Sequence, residues 1–354
     1  MRAAALAMPW RRRRLLCASC ISLHEDMDES WQHTVTIEPD LCFDTLLGLR
    51  GNITLRSLTL DGYAAALQDE RALLDAAADA GVGVLATTRL QRLACSFGCL
   101  DNAGLLFVAE HLPLSLEELA LTEETENFEH WVVCLRALLP VLRSRCPSLR
   151  KLELLHGSSF IGEGDTTPFN RDALGLLASL LSPSTAPACL THLKLALLQA
   201  RRADDVDSSL LTEPATALAR LLGDNAALVD FSISCLPVQA LGAYADALRR
   251  NTTLRTLALS FHYDVAHDLA HAMDGLATLT AALSQNTALR IVNIRFKHWC
   301  DYELLHSVDD HGVAAGDSLR QLSDAALAAQ RALAAHPTCA FDVTVGTWYS
   351  YSDW

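Results

Sequence analysis

Leucines recur along this chain in steps of three and then two. The pattern L-x-x-L-x-L stands at Leu55-Leu58-Leu60, Leu116-Leu119-Leu121, Leu149-Leu152-Leu154, Leu190-Leu193-Leu195 and Leu254-Leu257-Leu259. Looser copies stand at Leu90-Leu93-Cys95, Leu228-Phe231-Ile233 and Leu289-Val292-Ile294. Within each copy apolar residues alternate with others, the period of a strand that buries one face. The pattern therefore predicts eight short strands, from copies starting at residues 55, 90, 116, 149, 190, 228, 254 and 289. Self-similarity at steps of 26 to 41 residues marks a repeat architecture.

Helical periodicity fills the intervals. Pro237 opens the clearest helix, to Asn251, with Val238, Leu241, Ala245 and Leu248 on one face. Others are predicted over residues 101–112, 128–145, 171–181, 212–223, 269–285 and 319–335. Three helices meet the next strand at similar junctions, Asn225-Ala-Ala-Leu228, Asn251-Thr-Thr-Leu254 and Asn286-Thr-Ala-Leu289. Asparagine suits a helix end because it tolerates the left-handed conformation. Asn251-Thr-Thr and Asn52-Ile-Thr also match the glycosylation sequon, but the junction already accounts for Asn251.

These repeats and junctions resemble the ribonuclease-inhibitor-like leucine-rich-repeat superfamily over roughly residues 50 to 340. The resemblance implies an α/β leucine-rich-repeat solenoid, a curved horseshoe with parallel strands on the concave side and helices on the convex side. The resemblance is specific for fold and carries little on function; with no catalytic pattern in the chain, a protein-binding scaffold rather than an enzyme is the expectation. Members place an asparagine three residues beyond the second leucine pair, and here Tyr63, Gly98, Glu124, Gly157, Leu198, Leu236, His262 and Lys297 stand there. The ladder that satisfies backbone groups in that turn is therefore expected to be missing, leaving long irregular loops. Cys146-Pro-Ser-Leu149 is similar instead to the repeats of F-box substrate receptors. Two alternatives follow from the relatives: a substrate receptor of a ubiquitin ligase, and a GTPase activator of the Ran-activator type acting through Arg201 and Arg202.

The expected organisation is a disordered basic tail over 1–30, an N-terminal cap over 31–54, about eight repeats over 55–337, and a cap strand with an aromatic tail over 338–354. Thr34–Ile37 and Phe341–Val345 are the candidate cap strands, since terminal repeats must close the core.

Charge narrows the partner. The chain holds 28 Lys+Arg against 42 Asp+Glu, a net −14, which argues against nucleic acid and its phosphates. The first 24 residues run the other way, with Arg2 and Arg11 to Arg14 and no acid. A mitochondrial transit peptide and a nuclear signal are the other readings of that start. Eleven cysteines form no even framework, so a reducing, cytoplasmic setting is expected. No apolar run reaches the roughly 20 residues of a membrane helix. The expected partner is another protein, met by a monomer, with no membrane, nucleic acid or cofactor.

Candidate binding residues fall in two places. The segments 156–170, 199–211, 261–268 and 297–317 all follow a strand and precede a helix, which puts insertions on one rim. This rim holds Phe160, Phe169, Phe261, Tyr263, Phe296, Trp299 and Tyr302. Exposed aromatics there would serve as interface anchors, with Phe261, Tyr263, Phe296 and Trp299 foremost. The second place is the concave face, read as Ser57/Thr59, Arg92/Ala94, Glu118/Ala120, Lys151/Glu153, His192/Lys194, Asp230/Ser232, Thr256/Ala258 and Asn293/Arg295, with Glu153, Asp230 and Arg295 as its test residues. Cys17-x-x-Cys20-x-x-x-His24, with His33 and Cys42 beyond, is a weak zinc pattern lacking a compact second pair. His267-Asp-Leu-Ala-His271 lacks the glutamate of a zinc hydrolase. The phosphate-loop, nucleophile-elbow and dinucleotide-binding patterns are absent.

Overall fold

Each leucine pattern becomes a strand that begins two residues after its first leucine. In a computed structural model of the chain these are β3 (Ser57–Leu60), β4 (Arg92–Phe97), β5 (Glu118–Glu123), β6 (Lys151–His156), β7 (His192–Leu195), β8 (Asp230–Pro237), β9 (Thr256–Tyr263) and β10 (Ile291–Trp299). β1 (Ile21–Ser22) and β2 (Thr34–Ile37) precede them, and β11 (Ala340–Trp348) follows. The structure describes residues 21–22, 34–37, 56–60, 89–97, 112–123, part of 136–150, 151–156, 167–182, 189–196, 208–263, 268–299, 310–334, 336 and 339–348. The chain divides into two compact units, residues 1–157 with 187–189, and residues 158–186 with 190–354.

In the first unit, strands β2 to β6 run parallel and in chain order. Their register aligns Val35, Leu58, Leu93, Leu119 and Leu152 in one row. Leu58, Leu93, Leu119 and Leu152 are fully buried, so alternation does select a core face. β1 pairs antiparallel with β2, Ile21 against Ile37. Ile21–Ser22, inside the segment expected as a tail, supplies partners to backbone groups of Thr36 and Ile37 that β2 would otherwise leave bare at a sheet edge.

In the second unit, β7 to β11 are likewise parallel and consecutive. Leu193, Phe231, Leu257, Val292 and Phe341 form one row, and Leu195, Ile233, Leu259, Ile294 and Val343 the next. Helices alternate with these strands: α1 (Thr167–Leu181), α2 (Ser208–Asp224), a 3-10 turn (Val238–Ala240) leading into α3 (Leu241–Arg250), α4 (Leu269–Gln285) and α5 (Asp310–Leu333). The architecture is α/β, a parallel sheet whose strands alternate with helices. On α3 the predicted face is the buried one, Val238, Leu241, Ala245 and Leu248, joined by Tyr244 and Ala247. Arg249 and Arg250 stand in its last turn, where cations oppose the helix dipole.

Helix starts differ from the sequence expectation. α1 begins at Thr167, followed by Pro168 in the first turn, where a missing N–H costs nothing. α2 begins at Ser208 and carries Pro214 inside it. α5 begins at Asp310, nine residues earlier than its apolar period. Part of each expected insertion is therefore strand or helix.

The asparagines also behave differently from expectation. Asn251 (φ −75, ψ 122) and Asn286 (φ −83, ψ 112) are extended, so left-handed tolerance is not their role. Each is buried and uses both ends of its amide. Asn251 Nδ2 donates to the carbonyls of Leu222 (2.7 Å) and Asn225 (3.0 Å), while Oδ1 accepts from the N–H groups of Thr253 (3.0 Å) and Leu254 (2.8 Å). Asn286 repeats the arrangement one repeat on, with Leu248, Asn251, Ala288 and Leu289. Asn225 accepts from Ala227 and Leu228 in the same way. A side-chain ladder exists after all, at the strand entrance instead of its exit. A committed, buried Asn251 amide is also unavailable for a glycan.

Candidate functional site

The strand face turned away from the buried rows carries the polar side chains. In the first unit Ser57, Arg92, Glu118 and Lys151 lie in register, and Thr59, Ala94, Ala120 and Glu153 form the next row. Charges pair within this face: Arg92 Nε to Glu118 Oε1 at 3.1 Å, and Lys151 Nζ to Glu153 Oε1 at 3.0 Å. Glu153 is half-buried and thus partly committed to its neighbour.

In the second unit the first row is His192, Asp230, Thr256, Ile291 and Ala340, and the second is Lys194, Ser232, Ala258, Asn293 and Asp342. The sequence reading of the eighth repeat was displaced by one step: Ile291 and Asn293, not Asn293 and Arg295, align with Thr256 and Ala258. Ile291 is an exposed large apolar residue in a row that is otherwise polar or small. Arg295 stands one row further, between Ser260 and Thr344, and is exposed. Asp230 is half-buried at the start of β8.

The aromatic rim is the main correction. Phe261 and Tyr263 lie in β9, and Phe296 and Trp299 in β10, because both strands run past the leucine pattern. Phe261 and Tyr263 are 0% exposed and Phe296 1%. Parity explains it: Leu257, Leu259, Phe261 and Tyr263 alternate without interruption, so all four face the core. Phe261 stacks on Phe296 (centroids 5.8 Å, 27°), and Tyr244 and Tyr263 meet these rings edge-on at 6.2 Å and 6.4 Å. Burial also raises the Tyr244 phenol above its ordinary range. These rings are core, and the exposed-anchor reading of Phe261, Tyr263 and Phe296 is withdrawn.

No protein-family model and no curated protein matches this chain.

Beyond the aromatic layer, the strand ends bring Cys235 near Lys297, which with His262 stands where the repeat pattern would have an asparagine. Cys235 has φ 59, in the left-handed region, where β8 bulges between Ile233 and Leu236. Past the bulge, Pro237, His262 and Lys297 are in register. Burial pulls the Lys297 ammonium below its ordinary range; nearby Cys235 opposes that shift, and Arg295 adds to it. A bulge re-aims the chain at the price of one strained residue, and at Cys235 it breaks the polar rows before they reach the strand ends. Among the described residues no three of His, Cys, Asp and Glu gather as metal ligands would.

Several candidates lie outside the described residues: Cys17, Cys20, His24, His33, Cys42, Asn52, Phe160, Arg201, Arg202, His267 and Tyr302. His271 is exposed on α4. No described helix is long and apolar enough to cross a membrane.

Proposed function

We propose that this chain is a leucine-rich-repeat solenoid of the ribonuclease-inhibitor-like kind, and that it binds another protein, without catalysis of its own, through the polar face of its strands. The supporting observation is the division of side chains in the second unit. Phe261, Tyr263 and Phe296 are used up in the core, whereas Lys194, Asn293, Arg295 and Asp342 remain on the other face. That face is mixed in charge, with Ile291 an exposed large apolar residue among its polar and small neighbours, so it suits a largely hydrophilic protein surface matched by complementary charges.

The test is affinity capture followed by mass spectrometry with three variants. Arg295→Glu and Asp230→Arg alter the strand face, and Arg320→Glu alters the exposed side of α5 as a control. A partner held by wild type and control should be lost or weakened by about 2 kcal/mol in the face variants, mainly through faster dissociation. A partner retained equally by both face variants would contradict the proposal.

A further inference from the structure

β11 closes the second unit with nine consecutive strand residues, paired to β10 along its whole length from Ile291↔Ala340 to Trp299↔Trp348. Among the described residues nothing pairs with its other edge, whereas β2 at the start of the first unit is paired at Thr36 and Ile37 with antiparallel β1. The Ala340 N–H donates to the Arg290 carbonyl at 2.7 Å. Alternate residues of a parallel strand face alternate neighbours, so Ala340, Asp342 and Thr344 bond to β10 and the N–H and C=O of Phe341, Val343 and Val345 point along the outer edge. Proteins blunt such edges with lysine, proline, bulges or a very short strand. β11 (AFDVTVGTW) has none of these and a single charge, Asp342.

We propose that this edge is a self-association surface, on which β11 of a second copy of the chain pairs antiparallel about a two-fold axis at Thr344. Thr344 is the midpoint of the strand, so this register uses all nine residues of each copy. It sets Val343 opposite Val345 as hydrogen-bonded pairs, on the face that each strand already turns to its own core. It sets Asp342 opposite Gly346, which has no side chain, so the one charge meets no like charge. Thr344 meets its symmetry mate on the exposed face. A two-fold axis perpendicular to the sheet keeps core face with core face, as an isologous interface requires.

The experiment is sedimentation equilibrium of the full chain at micromolar concentration. Wild type should have twice the mass of one chain. Thr344→Lys sets two ammonium groups face to face at the axis and should weaken association by more than about tenfold, as should Thr344→Glu. An equal mixture of the two variants should restore the dimer, because lysine then faces glutamate. Circular dichroism shows whether each variant folds. If neither does, Val345→Pro removes only an outward N–H and should give the folded monomer. A monomeric wild type, or a dimer that Thr344→Lys leaves intact, overturns the proposal. So does a monomer whose Val343 and Val345 amides resist hydrogen exchange, since the chain would then cover its own edge.

Discussion

Three residues before the first leucine of a repeat, the second unit places Asn225, Asn251 and Asn286; the first unit places Asn52, Thr87, Pro113 and Cys146, of which Pro113 and Cys146 are among the described residues. In both units the side chain at this point can reach the same target, the backbone carbonyl of its counterpart one repeat earlier. Asn286 Nδ2 reaches the Asn251 carbonyl at 3.1 Å and Asn251 Nδ2 reaches that of Asn225 at 3.0 Å. Cys146 Sγ reaches that of Pro113 at 4.0 Å. The amide has a second donor hydrogen and an acceptor oxygen to spare, and it fixes two N–H groups of its own turn as well. The thiol is a weak donor and offers nothing more. At Cys146 and Pro113 the turn closes by backbone alone, through the N–H groups of Leu149 and Leu116 at 3.1 Å each. One structural position thus admits two chemistries. The asparagine version ties each repeat to its predecessor, and the cysteine version fills space.

The second contrast is in the rows themselves. Leucine fills the buried row of the first unit from Leu58 to Leu152, and the second unit adds an aromatic layer at the strand ends. Truncating that layer should cost most. Phe261→Ala should lower unfolding free energy by about 3–5 kcal/mol, against about 2–5 kcal/mol for Leu152→Ala in the first unit. Urea unfolding checks both, and a loss below about 0.5 kcal/mol at Phe261 would return the ring to the list of surface anchors.

Gly275 comes next. A Cβ added there would lie 2.6 Å from Leu241 Cβ, so α3 and α4 touch where no side chain fits. Gly275→Ala should cost about 1–3 kcal/mol despite its better helix propensity, and a stabilised variant would mean that the helices are further apart.

The thiol at the cysteine junction provides a smaller and more specific effect. Burial pushes Cys146 up to about 12, with Arg145 acting weakly the other way. At pH 8 almost none of it is thiolate, so alkylation should be far slower than at exposed Cys189 and should accelerate as pH rises toward 12. Equal rates at pH 8 would show that the junction opens readily. The smallest effect belongs to the half-exposed Arg92–Glu118 pair, where Arg92→Ala should change stability by less than about 1 kcal/mol.

The strands were legible because a period of two over leucines is hard to mistake, and all eight begin at a constant offset from the pattern. The rings were misplaced for a traceable reason. The six-residue pattern stops at Leu259 and Ile294, but the same parity continues through Phe261 and Tyr263 and through Phe296. Following parity instead of pattern length would have placed them inside. Helix starts were obscured where apolar periodicity begins later than the hydrogen bonding, as in α5. The bulge at Cys235 left no signal in the sequence, because a left-handed cysteine follows from pairing between β8 and β9 and not from local preference. The asparagines were noticed for the right location and the wrong property, since their backbone is extended and the amide does the work.

The contrast between the two junctions is tested most directly by paired urea unfolding of Asn251→Ala and Cys146→Ala. The first variant strips two carbonyls and two N–H groups of a buried partner, and should lose about 3 kcal/mol. The second removes one weak, long contact and a small apolar volume, and should lose about 1 kcal/mol. If the two losses are equal, or the cysteine variant loses more, the asparagine ladder does not hold the repeats together.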